Sequence, residues 1–211
     1  MHGSRNSLKA YRMISGSIAN YRVDPIRFDS ARPFLRNWHY DKYVNVQCKH
    51  AFGLFKPEND FGIPEMVGVC VYTLPAGPTA GQAYCPEAPD KVLELRRLAC
   101  IDETPRNAES FFVSKTLKWL KKNTDCQVVI SYADPEQGHT GIIYKASNFE
   151  LVGRTSPGTA VSFRGKRLHN RSLSMTDRPY GRELNKLMKE KSSEISYIDL
   201  EPKYIYTYRV R

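Results

Sequence analysis

The stretch that most constrains this chain runs from Val128 to Gly153. Val128-Val129-Ile130-Ser131-Tyr132-Ala133 reads as a buried strand, because it is a nearly continuous run of apolar and β-favouring residues. Asp134-Pro135 ends it in a sharp turn. Gly138-His139-Thr140-Gly141-Ile142-Ile143-Tyr144-Lys145-Ala146 then predicts a short helix over 138–146. Tyr144 and Phe149 stand five apart, so the tyrosine is on the helix and the phenylalanine opens a second strand over 149–154. A strand, one short helix and a strand leave little choice but an α/β arrangement.

The flanking sequence agrees. A helix capped by Asp29 or Ser30 runs to about Trp38, with Phe34, Leu35 and Trp38 at helical spacing and Pro33 in its first turn. Strands are expected over 49–55, 66–74 and 92–101, and an amphipathic helix over 108–122. In the third of these strands Leu93, Leu95 and Arg97 are expected on one face and Glu94, Arg96 and Leu98 on the other. Residues 75–89, rich in Pro and Gly, read as a loop or a lid. The fold class is therefore α/β with a mixed central sheet flanked by helices. A segment over 1–25 is expected to be partly flexible, a core to span 26–155, and a basic extension over 156–211 to complete the same domain. Its last strand is Tyr204 to Arg211.

Composition narrows the class. The chain has 211 residues and a net charge of +10, and no run of 18 apolar residues suited to crossing a membrane. Arg164, Lys166, Arg167, His169, Arg171 and Arg178 crowd into one short segment, with a basic helical patch over 182–191. Placement of that kind points to a polyanionic partner, since lysine and arginine neutralise phosphates and release counterions. The five cysteines lack a C-x-x-C pair and no signal segment precedes them, so reduced thiols in a cytoplasm are expected. Cys48-Lys49-His50 offers two metal ligands without a second pair, and no metal is expected.

Several residues have the chemistry of a site. Arg106, Asn107, Ala108 and Ser110 lie between a strand and a helix, where free amides and the helix dipole bind phosphate. An ordinary capped helix start explains them equally well. Arg97 is either one half of a structural ion pair, with Asp134 as a candidate partner, or an electrostatic clamp on developing charge. Asp134 sits at the carboxyl end of a strand, where α/β sheets place ligands, and is either a turn cap or functional. Tyr144 is either a core side chain or a group that protonates a leaving atom or orients the transferred group. His39 suits a base or an orienting group near neutral pH, with His139 as its rival. His169, among arginines, reads as a phosphate contact.

Taken together, Trp38-His39-Tyr40, Phe52-Gly53-Leu54, Val67-Gly68-Val69, Glu94-Leu95-Arg96-Arg97-Leu98, Pro105-Arg106-Asn107-Ala108-Glu109-Ser110, Ser131-Tyr132-Ala133-Asp134 and Gly138-His139-Thr140-Gly141 with Tyr144 resemble the Mom-type DNA modification proteins of bacteriophages. Those proteins lie within the acyl-CoA-dependent N-acyltransferase (GNAT) superfamily. The resemblance covers roughly residues 30 to 175 and the last strand. It implies a GNAT-like fold, a transferase, and transfer of a carbamoylmethyl-type group to adenine N6 in double-stranded DNA, protecting phage DNA from restriction in the host cytoplasm. It assigns His39, Arg97, Asp134 and Tyr144 to the active site. Arg106, Asn107, Ala108 and Ser110 fall near the donor's phosphates, although the glycines of the family's pyrophosphate loop are missing here.

The implied donor is acetyl-CoA or another activated acyl or aminoacyl compound, such as a charged tRNA, which would supply the nitrogen that an acetyl group lacks. The expected partners are double-stranded DNA, that donor, and a second copy of the chain, with no membrane. Reaching N6 requires a flipped base, for which Trp38, Tyr40 or Tyr43 offers a stacking surface. Arg164, Lys166, Arg167, His169 and Arg171 would hold the backbone on either side. Two other readings stay open: an acetyl-CoA-dependent N-acetyltransferase of a protein or small molecule, and a non-catalytic DNA-binding protein on the same scaffold.

Overall fold

The computed structural model describes residues 17–39, 46–57, 62–77, 79–169, 172–173, 175, 177 and 179–211, with the His169 side chain excepted. The chain forms two compact units, one running to Ile130 and including Arg209–Arg211, the other Ser131–Tyr208.

In the first unit β1 (Arg22–Pro25), β2 (Cys48–Phe55), β3 (Met66–Thr73), β4 (Val92–Cys100) and β5 (Val128–Ala133) lie side by side in chain order. The first four are antiparallel, and β5 joins β4 in parallel through Val92↔Val128, Leu93↔Val129 and Glu94↔Ile130. The sheet is therefore mixed, as expected. Strand β1 was not anticipated. It is four residues long and ends in Pro25, which an edge strand tolerates because one side of it makes no ladder bonds.

Helix α1 (Phe28–Trp38) packs Ala31, Phe34 and Leu35 on one face of this sheet, against Ala51, Val69, Val71 and Ala99. Its start at Phe28, capped by Arg27 without a side-chain bond, places Pro33 inside the helix rather than in the first turn. Burial of that apolar stripe offsets the lost backbone bond. Helix α3 (Ala108–Asn123) covers the opposite face. There the Tyr72 hydroxyl and Thr116 Oγ1 are 2.6 Å apart, and Phe52 meets both Tyr72 and Trp119 edge to face. Residues 75–89 contain a short helix, α2 (Ala80–Tyr84). A Cβ at Gly81 would stand 2.3 Å from the Pro89 carbonyl oxygen, so only glycine allows this close return of the chain.

The expected alternation along β4 fails at one point. Val71 pairs with Arg97 but Tyr72 pairs with Leu95, so Arg96 is an extra residue and β4 carries a bulge. Arg97 consequently shares the α1 side of the sheet with Val71 and Ala99, together with Glu94, opposite Thr73. Leu95 goes with Tyr72 to the α3 side, so Arg97 and Leu95 do not share a face.

In the second unit the end of β5 leads through a 3-10 turn, Pro135–Gln137, to α4 (Ile142–Ala146) and β6 (Glu150–Arg154). Helix α4 is shorter than expected because Gly138 and Gly141 both take left-handed backbone, φ +72° and +78°. Strand β10 (Tyr204–Arg209) pairs with β6 in antiparallel, so the expected final strand is present. A second sheet places β7 (Gly158–Phe163) between β8 (Lys166–His169) and β9 (Ile195–Leu200). Helix α5 (Pro179–Lys189) covers this sheet through Leu184, Leu187 and Met188, which pack on Val161, Leu168 and Ile195. This small sheet was not expected from sequence. Its signal is the two-residue turn Arg164-Gly165, both with positive φ, which suits a tight hairpin.

All five cysteines are free thiols. Burial pushes Cys48 up to about 11, Cys126 to about 11 and Cys70 to about 12, and raises Cys85 and Cys100 as well. The thiolate is the reactive form, so the native chain at pH 8 is expected to resist iodoacetamide. The unfolded chain should take up five carbamidomethyl groups, read by intact mass. Rapid full labelling of native protein would contradict this burial.

Candidate functional site

In the first unit the α1 side of β4 gathers most of the polar groups buried in this core. His39 closes α1 as its C-cap, is buried, and donates its backbone N–H to the Leu35 carbonyl at 3.0 Å. Arg97 is buried beside the bulge, and its Nη1 donates to the Arg96 carbonyl at 2.9 Å. Glu94, read from sequence as a strand residue and not as part of the site, belongs to this group. Only 3% exposed, it accepts the Ala76 N–H on Oε2 at 3.0 Å and Arg96 Nη1 on Oε1 at 2.6 Å. The carboxylate thereby ties the start of segment 75–89 to the bulge. The clue was a glutamate inside an apolar strand, where an unpaired charge is costly. Trp38, next to His39, is 49% exposed, as a stacking surface must be. Tyr40, Tyr43, Arg171 and Arg178 lie outside the described residues.

The helix start at α3 is built differently from a glycine loop. Arg106 and Asn107 are exposed, and Asn107 makes no side-chain cap. The Ala108 N–H is taken by the Pro105 carbonyl at 2.9 Å, and its methyl is buried in the core. Ser110 Oγ donates to the Asn107 carbonyl at 3.2 Å. What remains is the positive end of a 16-residue helix with exposed Arg106 two residues before its first residue. That combination suits an anion but lacks the glycine amides that would wrap a pyrophosphate closely.

In the second unit Asp134 is both a cap and one half of an ion pair. Oδ1 accepts the Glu136 N–H at 3.1 Å, and Oδ2 lies 2.7 Å from Lys203 Nζ. The side chain is 14% exposed, so the pair is partly desolvated. Lys203 went unrecognised in the sequence because it approaches from just before β10, far along the chain. Glu136 is similarly committed, with Oε2 2.5 Å from Arg167 Nη2 and Oε1 accepting the Glu201 N–H at 3.1 Å. These donors hold its carboxyl below the usual range.

Tyr144 on α4 stacks obliquely on Tyr206 of β10 at 5.3 Å and on Phe149 at 5.6 Å. The Tyr206 hydroxyl donates to the Thr140 carbonyl at 2.8 Å, fixing the turn that precedes α4. Gly141 is where this contact demands glycine. A Cβ there would fall 2.2 Å from Tyr206 Cε2, and φ is already left-handed. Gly141→Ala is expected to destabilise the chain by more than the roughly 1–2 kcal/mol of a non-glycine left-handed residue. Thermal unfolding measures it, and an unchanged midpoint would show that Tyr206 yields without cost.

Among the basic residues, Arg164 is ion-paired with Glu194 at 2.6 Å and Glu183 at 3.7 Å, and Glu194 raises its pKa further. Arg167 is held by Glu136. Lys166 is exposed on β8, and His169 is placed at the end of that strand. His139 is exposed in the turn before α4, its N–H on the Asp134 carbonyl. Among the described residues no group of three His, Cys, Asp or Glu converges to hold a metal, and no helix is long and apolar enough to cross a membrane.

Known proteins match this chain at two levels. The model of the Mom protein family matches residues 20–211. The methylcarbamoylase mom of Escherichia phage Mu is 31% identical over 146 residues, covering 65% of this chain; the chain spans 58% of that relative's length. Among solved structures, Arabidopsis thaliana NAA60 with acetyl-CoA superposes with a TM-score of 0.52 at 13% identity, over 90% of this chain and 98% of that one. Spermidine/spermine N-acetyltransferase SpeG from Vibrio cholerae gives 0.50 at 7% identity, over 92% and 94%. Likeness at such low identity shows the fold alone, which is that of the GNAT acetyltransferases.

Proposed function

Because the chain belongs to the Mom protein family, we propose that it is a phage DNA modification enzyme that transfers a carbamoyl-containing group to adenine N6 in double-stranded DNA. The relative's name, methylcarbamoylase, supports the transferred group. The observation that carries the reading is the Asp134 carboxylate at the carboxyl end of β5, fixed by Lys203 and by the Glu136 N–H. A carboxylate held in one orientation at this place can accept the hydrogen bond, and then the proton, of an attacking amine.

The step forms a bond from N6 to the carbon of the group and breaks that carbon's bond to the donor. One N6 proton goes to the base, and the leaving atom takes a proton. In the second unit Asp134 is the proposed base and Tyr144 the proposed acid or orienting group. In the first unit His39 orients and Arg97 offsets developing negative charge. Trp38, with Tyr40, is proposed to stack on the flipped base, and Lys166, His169 and Arg171 to contact the backbone, Arg164 and Arg167 being paired with glutamates.

Arg106 and the first turn of α3, from Asn107 and Ala108 to Ser110, are proposed to face the donor's phosphates. Likeness of fold to an acetyl-CoA-bound enzyme supports a coenzyme A donor. The absent glycines and the nitrogen in a carbamoyl group favour an aminoacyl donor such as a charged tRNA. An acetyl-CoA-dependent N-acetyltransferase remains the second reading, favoured by the fold, but it leaves the basic second unit unused.

The test is nucleoside mass spectrometry of plasmid DNA from bacteria expressing the chain, beside Asp134→Ala. A heavier deoxyadenosine, absent in the control, supports the reading, and its mass identifies the group. Unmodified DNA from well-folded protein ends it.

A further inference from the structure

Helix α5 carries a charge pattern that the proposed chemistry does not use. Leu184, Leu187 and Met188 point into the small sheet's core. Arg182, Asn185, Lys186 and Lys189 recur at i, i+3, i+4 and i+7 and so form one stripe on the opposite, solvent side. With Glu190 they line an open surface cavity of about 340 Å³.

Lys186 and Lys189 of the stripe are less committed than Arg164 and Arg167, while Arg182 Nη1 donates to the Asp177 carbonyl at 3.3 Å. Arg164 and Arg167 are held by glutamates at 2.6 and 2.5 Å. Lys186 is 3.8 Å from Glu190, with both side chains more than half exposed, which is a weak tie. Among the described residues Lys189 has no ion pair. Glu183, the acidic residue beside the stripe, faces Arg164 instead.

We propose that this groove along α5 is a contact surface for the phosphate backbone of double-stranded DNA, with Lys186 and Lys189 on phosphates, Arg182 at the end of the row, and Asn185 held to the Leu173 carbonyl at 3.1 Å between them. The inference rests on duplex DNA being the substrate. Charge complementarity selects the occupant: the stripe is a row of cations about 10 Å long, which suits neighbouring phosphates of a DNA strand. An amphipathic helix anchored by its apolar face holds such a row rigidly, and row contacts of this kind position a duplex without reading its sequence.

The experiment measures the salt dependence of binding to a fluorescent duplex for wild type, Lys186→Gln, Lys189→Gln and the double variant, with an unmodified tRNA as parallel probe. Thermal unfolding of each variant confirms the fold, and the exposed single variants stand in should the double variant be unstable. The expected result is a slope of log affinity against log salt that becomes shallower by about 0.9 per lysine removed. An unchanged slope in a variant, with normal duplex binding by wild type, overturns the surface and leaves the proposed function standing. A slope that changes for tRNA and not for duplex also overturns it, and assigns the groove to an RNA donor. No duplex binding by wild type at all would overturn the function itself.

Discussion

Asp134→Asn is expected to leave the chain folded while modified deoxyadenosine in plasmid DNA falls by about 10²–10⁴-fold, the usual worth of a positioned acid or base. The two oxygens of Asp134 make the substitution informative. Oδ1 accepts the Glu136 N–H, and an asparagine amide oxygen can do the same, so the cap of the 3-10 turn survives. Oδ2 faces Lys203 at 2.7 Å, and there asparagine offers no charge and no basic site. Thermal unfolding close to wild type, with modification lost, separates the carboxylate's chemistry from its role as a cap. Full modification by Asp134→Asn would reduce Asp134 to a turn residue. Lys203→Met gives the complementary result: the carboxylate loses its cation, and modification is expected to decline with the fold intact.

Glu94→Ala is expected to destabilise the first unit. It removes both hydrogen bonds of a carboxylate that is 3% exposed and leaves the Ala76 N–H and the Arg96 guanidinium without their acceptor. Arg96 is about one third exposed and stays hydrated, so the cost is that of an unmet buried N–H and a lost charged hydrogen bond, about 1–3 kcal/mol. In a chain of this length each kcal/mol moves the unfolding midpoint by roughly 2–4 °C, so a drop of about 2–12 °C is expected. Glu94→Gln keeps an acceptor for one donor and should fall between the two. Modification by Glu94→Gln at a temperature where it is fully folded reads whether holding segment 75–89 matters to the reaction. A midpoint unchanged in Glu94→Ala would mean that neither bond stabilises the fold.

Much of the architecture was legible because its signals are local. The apolar period of α3, the continuous apolar runs of β3 and β5, and the turn between Asp134 and α4 each follow from neighbours a few residues apart. Three features of the candidate site were not. The orientation of Arg97 depends on Arg96 being an extra residue against β3, which only the register of the neighbouring strand reveals. The role of Lys203 depends on a chain segment almost seventy residues from Asp134. The commitment of Arg164 and Arg167 to glutamates on other elements converts part of an apparent phosphate-binding row into internal ion pairs.

By itself the sequence determined the α/β class, the strand that ends at Asp134, the helix that carries Tyr144 and the excess of positive charge, because backbone preference and hydrophobic period act over one or two turns of chain. The tertiary structure alone decided which face Arg97 takes, which cation holds Asp134, why Gly141 cannot be replaced beside Tyr206, and which basic side chains are left for a partner. Each of those depends on where a distant strand or helix packs, and packing is settled by register and burial across the whole fold rather than by any residue's neighbours.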